Sequence, residues 1–375
     1  MRRKEVAWKE LEKSLIMDVI ETRNLSLFSG KYLRKAEKLL ESFYPGKSAI
    51  LLNSGTAALH IALKAHGIGL GDEVIVPSIT YPATALAVLH AGAKPVFAEV
   101  DSISYTLDID SCDNLISQET KAVIFVHLFG VLGNIEAVAD LCDSKGIILI
   151  EDCAQAFGSQ LKKKQAGTFG QAGCFSFFES KTISAGEAGA LILPNDCLLE
   201  MGRRYRHHGM DVINNDRTVK IEGFNYKPSE FQSALVVAQL TFHNEIIRER
   251  KVIVDLVNNF FCNNFKFQTV CADENAVLDK LCIIFKDIEE RDIAEKHGQN
   301  LGFFQYLKNP LYREPVFSSC SPVQNFPISE FFCNHHLVFQ ISPYRSLKKI
   351  KSHLNDFITN YLGALNEKKF KKAQV

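Results

Sequence analysis

Gly173-Cys174-Phe175-Ser176-Phe177-Phe178-Glu179-Ser180-Lys181-Thr182 is a largely apolar run that ends on a single cation. About thirty positions upstream, Ile147-Ile148-Leu149-Ile150 leads into Glu151-Asp152-Cys153-Ala154-Gln155, so a second short apolar run ends on two carboxylates. Further upstream, Ala49-Ile50-Leu51-Leu52 passes into Asn53-Ser54-Gly55-Thr56-Ala57-Ala58-Leu59. Between these runs lie helix-like stretches at Thr56–His66, Pro82–Ala91 and Ile135–Ser144, and further extended runs at Glu73–Pro77, Pro95–Ala98 and Lys121–Val126. Short β-rich runs that alternate with helices predict an α/β fold with a mostly parallel sheet covered on both faces.

The texture changes after Asp196. A long helix is expected from Pro228 through Glu249, a strand at Leu281–Phe285, a helix from Glu290 to Gly298, and a loop-rich stretch carrying Pro310, Pro315, Pro322 and Pro327. A last helix is expected from about Leu347 to Leu362. This predicts a large α/β domain over 1–240 and a smaller α+β domain over 241–375, as the chain length of 375 residues also suggests.

Lys+Arg and Asp+Glu both number 43, so no net charge draws the chain to nucleic acid or an anionic membrane. The charge run Lys368-Lys369-Phe370-Lys371-Lys372 reads as a frayed, solvated terminus. Ten cysteines are scattered without a Cys-x-x-Cys pair or zinc spacing, and no metal site is expected. His207-His208 and His335-His336 are adjacent pairs whose rings do not share a helix face, and Gly67-x-Gly69-x-Gly71 follows a helix rather than a strand, so it reads as a helix stop. No segment reaches the roughly 18 unbroken apolar residues of a membrane span, and no signal peptide is visible. A reducing cytoplasm is the expected setting.

The three runs together carry chemistry. Ser54-Gly55-Thr56 stands at a strand-to-helix switch, where free N–H groups favour an anion and Thr56 adds a hydroxyl, although a plain N-cap has the same residues. Of Glu151 and Asp152 only one faces a pocket, because side chains alternate along a strand; Asp152 is the choice and Glu151 the fallback. Gln155 can donate to a phenolic oxygen, Tyr81 can stack on a ring, and Ser176 can add a hydroxyl to a phosphate. Lys181 lies among apolar and small residues, where desolvation disfavours the ammonium that an attacking amine must shed. A lysine to form a Schiff base, a carboxylate for a pyridinium and a helix start for a phosphate are the parts that hold pyridoxal 5'-phosphate.

Taken in order, Asn53–Leu59, Thr80-Tyr81-Pro82-Ala83-Thr84-Ala85, Glu151–Ala156, Phe175-Ser176-Phe177 leading to Lys181, Gly186-Glu187-Ala188-Gly189 and Asn225-Tyr226-Lys227-Pro228-Ser229-Glu230 resemble the DegT/DnrJ-type sugar aminotransferases, fold-type I pyridoxal-phosphate enzymes. The resemblance implies a seven-stranded sheet, Lys181 as the covalent attachment point and proton shuttle, and Asp152 on the pyridine nitrogen. It implies Gln155 near the phenolic oxygen, Tyr81 on the ring, and Gly55, Thr56 and Ser176 on the phosphate. Asn225 would reach the phosphate of a neighbouring subunit, giving a homodimer with shared sites. The implied reaction moves an amino group from glutamate or glutamine to a keto sugar, nucleotide-linked, or to a ketocyclitol. A dehydratase or aromatising synthase of the same family and a non-catalytic regulatory paralogue are the alternatives; the sugar dehydratases carry histidine where Lys181 stands. Ala188 replaces a usual glycine and Lys227 a usual arginine, and the C-terminal part diverges.

Overall fold

The fold, from a computed structural model, describes residues 2–194, 196–211, 218–264, 268–270, 275–320, 326–342 and 345–372. Helices α1 (Arg2–Thr22) and α2 (Tyr32–Phe43) precede an alternation of β1 (Ser48–Leu52), α3 (Gly55–Ala65), β2 (Glu73–Pro77), α4 (Ala83–Ala91), β3 (Lys94–Ala98), α5 (Ile109–Leu115), β4 (Thr120–Val126), α6 (Ile135–Lys145) and β5 (Ile148–Asp152). A small hairpin, β6 (Gln160–Leu161) and β7 (Lys164–Gln165), leads to β8 (Ala172–Ser176), β9 (Gly189–Leu193) and α7 (Asp196–Arg206).

Seven of these strands form one sheet in the order β1-β9-β8-β5-β4-β2-β3. Pairings β2/β3, β2/β4, β4/β5 and β5/β8 are parallel, and β9 runs against both β8 and β1. The strands are apolar on both faces because both faces are covered. Ala122, Ile124 and Val126 of β4 join a core with residues of α3 and α4, while Val123 and Phe125 join the opposite core with residues of α2, α6 and α8 (Glu230–Thr241). The mostly parallel α/β sheet expected from the sequence is therefore the architecture of the chain.

A second sheet, in the order β10-β11-β13-β12, is antiparallel: β10 (Gln268–Thr269), β11 (Lys280–Ile284), β12 (Phe303–Phe304) and β13 (His336–Gln340). Helices α9 (His243–Asn264), α10 (Ile288–Gly298) and α12 (Leu347–Lys372) pack on it around Phe261, Phe285, Phe339 and Phe357. Helix α11 (Pro327–His335) instead sends Phe332 into a core of the first sheet.

Several local expectations change. The single helix expected from Pro228 to Glu249 is two, broken at Phe242, whose φ and ψ of −111° and 21° leave the helical region. His243 Nδ1 lies 3.0 Å from the Leu240 carbonyl oxygen at the break, where an α-helical amide would otherwise be needed. The first of the two starts at a capping box, with Ser229 and Gln232 exchanging bonds, rather than at Pro228. Helix α12 extends through the 368–372 run to Lys372. Helices α1, α2, α5, α7 and α11 and strands β9 and β13 have no counterpart in the sequence reading. Pro322, from the loop-rich stretch, lies outside the described residues.

Candidate active site

The parallel strands β4, β5 and β8 end at one edge of the large sheet, and the β11/β13 pair of the second sheet meets them there. A cavity of about 360 Å³ opens between them. Of the residues singled out from the sequence, Gly55, Thr56, Tyr81, Asp152, Gln155, Ser176 and Lys181 line it. Asn225 does not: it sits between α7 and α8, bridged in β fashion to His207, with its side-chain oxygen accepting from Lys227.

Alternation along β5 separates the two carboxylates. Asp152 faces the cavity, whereas Glu151 faces the opposite core and accepts from His127 Nε2 at 2.9 Å and from the Gly167 and Gly170 amides at 2.7 Å each. His127, Glu151 and Cys153 lie close enough to suggest a metal triad, but these three donors already engage the Glu151 carboxylate. Asp152 accepts from Thr84 Oγ1 at 2.8 Å and from the Ala154 amide at 3.1 Å. Burial pushes its carboxyl above the ordinary range, against the pull of those two bonds and of Lys181 and His127. Such a carboxylate gains most from a cation brought into contact with it.

Lys181 follows β8 in a loop pinned by bonds from Phe177 N to Ala188 O at 2.7 Å, from Ala185 N to Phe177 O at 2.8 Å and from Lys181 N to Phe178 O at 2.9 Å. The alanine at 188 thus keeps its backbone role in place of glycine. The lysine side chain is 12% exposed, and its Nζ lies 3.8 Å from Asp279 Oδ2. The sequence reading, a lysine among apolar and small residues, is incomplete: the buried carboxylate of Asp279, just before β11, lies beside it.

The phosphate-type end of the cavity is built from backbone. Ser54 caps α3 by accepting from the Ala57 amide at 3.1 Å, and Gly55 and Thr56 open the first turn toward the cavity. A side chain at 55 would place its Cβ 2.8 Å from that of Ser176, so glycine allows β8 and α3 to approach. Gln155 is held at both ends of its amide, accepting from Phe129 N at 2.8 Å and donating to the Tyr306 hydroxyl at 3.1 Å. Tyr81, at the rim, is 59% exposed.

Five groups at the cavity had no role in the sequence reading: Lys280, Tyr306 and Gln340 line it, and Thr84 and Asp279 stand behind Asp152 and behind Lys181 and Lys280. Thr84 carried a signal, since a hydroxyl in the first turn of the helix expected from Pro82 follows directly on Tyr81. Asp279-Lys280 also carried one, as opposite charges at the head of an apolar strand. Lys280 donates to Asp279 Oδ2 and lies 4.9 Å from the centre of the Tyr306 ring. Burial, opposed by Asp279 and aided by Lys181, lowers the Lys280 ammonium to about 8.

A largely buried lysine, a buried carboxylate whose described hydrogen-bond donors are neutral, and an open helix start in one cavity fit pyridoxal phosphate by donor chemistry. Comparison with known proteins points the same way. The sequence model of the DegT/DnrJ/EryC1/StrS aminotransferase family matches residues 8–353. GDP-perosamine synthase of Escherichia coli O157:H7 is 30% identical over 320 residues, 85% of this chain and 87% of that protein. The Vibrio cholerae protein of that name is 36% identical over 245 residues, 65% of this chain and 66% of its own length. L-glutamine:2-deoxy-scyllo-inosose aminotransferase of Streptomyces kanamyceticus is 39% identical over 200 residues, 50% of this chain and 46% of that protein. Among solved structures, DesV of S. venezuelae superposes with a TM-score of 0.85 at 26% identity, covering 94% of this chain and 95% of that one.

Proposed function

The chain belongs to the DegT/DnrJ/EryC1/StrS aminotransferase family, and from that premise we propose that it moves an amino group from glutamate or glutamine to a keto sugar, nucleotide-linked, or to a ketocyclitol. The observation that carries the reading is the meeting of Lys181, Asp152 and the start of α3 in one cavity. The names of the relatives support both acceptor classes: a perosamine synthase on the sugar side and an inosose aminotransferase on the cyclitol side.

Bound pyridoxal phosphate supplies an amine carrier and an electron sink. The residues divide the remaining work. Lys181 Nζ would be the attachment point and, as a free amine, would carry a proton between the amine-bearing carbon and the cofactor carbon in each half of the reaction. Asp152 holds the proton on the pyridine nitrogen, and Thr84 fixes the rotamer of that carboxylate. Gln155, its amide orientation set by Phe129 N and Tyr306, donates to the phenolic oxygen. Tyr81 covers the ring, and Gly55, Thr56 and Ser176 bind the phosphate. Asn225 lies outside its own cavity and serves the phosphate of a neighbouring copy, so the working unit is a homodimer. Residues 1–240 act as the cofactor-binding domain and 241–375 as the smaller domain that closes the cavity. No described helix is long and apolar enough to cross a membrane, and a cytoplasmic setting accompanies this reading.

The test converts the purified protein to its pyridoxamine form and presents a panel of keto sugars and ketocyclitols. Return of the visible cofactor band with one acceptor, and an aminated product of matching mass, is the expected result. A band that returns with none of them, or a product that has lost water, overturns it.

A further inference from the structure

We infer that the Tyr306 hydroxyl donates its proton to an oxygen on the carbon next to the reacting one, in the amino donor and in the acceptor alike, an assignment that rests on the amine-transfer reading above. The direction of that proton follows from the bonds of Gln155. The Phe129 amide can only donate, so the Gln155 atom it reaches at 2.8 Å is the carbonyl oxygen Oε1. The other end of the amide is then Nε2, which can only donate, and its partner at 3.1 Å is the Tyr306 oxygen. Tyr306 is thereby the acceptor toward Gln155, and its own O–H points elsewhere. Among the described residues no protein acceptor receives that proton. Tyr306 lines the cavity, so the proton is offered to what enters it.

The tyrosine is fixed by its neighbours. His336 of β13 accepts from the Tyr306 and Leu307 amides at 3.1 and 3.2 Å, and its Nδ1 lies 2.8 Å from the Phe332 carbonyl oxygen. The Phe129 and Phe304 rings stand edge-on at 5.8 and 6.3 Å, and Lys280, which donates to Asp279, lies 4.9 Å from the ring centre. Burial, with Asp279, Asp152 and Tyr81 adding to it, pushes the hydroxyl above its ordinary range against the bond from Gln155, so the group keeps the proton it donates.

Position and neutrality select the partner. The phenolic oxygen proposed for Gln155 neighbours the cofactor carbon at which amines react, so a hydroxyl bonded to the same amide is placed to meet the substituents of the reacting carbon. An α-amino acid carries a carboxylate there, and a ring ketone of a sugar or cyclitol carries a hydroxyl on a neighbouring carbon. One place must therefore take an anion in the first half of the transfer and an uncharged polyol in the second. A cation there would hold the carboxylate with a bond about twice as strong as a neutral one and favour the acid in both halves. A neutral O–H serves both.

The experiment uses the holoenzyme and non-reacting probes. 2-Methylglutamate and 2-methylglutamine have no α-proton to lose; 4-amino-4-methylpentanoate and 4-amino-4-methylpentanamide are the same molecules with methyl in place of the α-carboxylate. Each is titrated against the cofactor absorbance. Y306F is expected to weaken the first pair roughly 10- to 100-fold, the range of a hydrogen bond to a charged group, and the second pair less than about threefold. In the pyridoxamine form, kcat/KM for the acceptor that restores the cofactor band should fall roughly 2- to 10-fold, the range of a bond to an uncharged hydroxyl. Unchanged binding of the first pair, or an unchanged acceptor kcat/KM, overturns the assignment and leaves the transaminase reading intact. Equal weakening of both pairs, with a shifted cofactor band before any probe is added, makes Tyr306 a support of Gln155 alone and also overturns it. A wild type whose absorbance responds to neither glutamate, glutamine nor their 2-methyl forms overturns the donor reading itself. If Y306F does not fold, 3-fluorotyrosine installed at 306 supplies a stronger O–H donor that should tighten 2-methylglutamate, and binding no tighter than that of the wild type overturns the assignment.

Discussion

The Asp279 carboxylate lies 3.8 Å from the Lys181 ammonium, although the first precedes a strand of the small antiparallel sheet and the second follows a strand of the large parallel one. The contact joins the two sheets at the lysine proposed as the attachment point of the cofactor. It places a negative charge beside that amine.

Removal of that charge should be felt in stability first. Burial, the largest single influence, pushes the Asp279 carboxyl up, but Lys280, Lys181 and Arg250 together outweigh it and hold it below the ordinary range. A depressed carboxyl contributes stability above its unfolded value that is lost as pH falls toward the folded one. D279N should therefore lose about 3–5 kcal/mol at neutral pH, because the buried carboxylate that Lys280 and Lys181 face is neutralised. Its denaturant midpoint should depend less on pH than that of the wild type below about pH 4.

Asp152 should show the opposite sign. Its carboxyl is raised by burial, so the folded apoprotein holds more protons than the unfolded chain in the window above the ordinary carboxylate value, and stability falls as pH rises through it. D152N is expected to stabilise the apoprotein by about 1–3 kcal/mol at neutral pH and to remove that fall. The same variant should bind the cofactor more weakly and turn over at least about 100-fold more slowly. Thermal melts with and without cofactor read both effects.

Lys181→Ala should lower amine transfer by at least about 1,000-fold, while the protein remains folded and able to hold the pyridoxamine form. The alanine keeps the loop, whose backbone bonds to Ala188, Phe177 and Phe178 do not involve the side chain. Turnover within tenfold of the wild type would remove the residue from the mechanism.

Asn225 is tested by complementation. K181A and N225A are each expected to be impaired as homodimers. Mixed and reassembled, they form hybrids in which one site regains both residues, and about a quarter of wild-type activity should return, as for any isologous dimer with a shared site. No recovery would place Asn225 in the service of its own subunit.

Gly55→Ala should separate packing from chemistry. Its Cβ would meet Ser176 Cβ at 2.8 Å, so β8 and α3 must move apart at a cost of about 1–3 kcal/mol. Cofactor dissociation, followed by gel filtration and absorbance, should accelerate more than the acceptor KM changes.

The alternation of strands and helices, the order of the three motifs and the identity of the cavity groups Gly55, Thr56, Tyr81, Asp152, Gln155, Ser176 and Lys181 are legible in the chain because they rest on short-range physics. Apolar runs of strand length, a glycine at a turn and a charge at a strand end are local signals. Helix α3 could be read from Ser54-Gly55-Thr56 alone, since its cap is formed within four residues. The break between α8 and α9 was not legible, because an apolar helical pattern continues across Phe242.

Only the tertiary structure decided what stands next to Lys181. Strand register turned Asp152 into the cavity and Glu151 away from it, and β11/β13 pairing set Lys280 opposite Gln340 at the cavity wall. Asp279 and Lys280 are distant from Lys181 in the chain, and a contact of that kind arises from how one sheet packs on another, for which no local pattern codes. Propensity and hydrophobic period set each element; the meeting of charges across elements was left to the burial that brings them together.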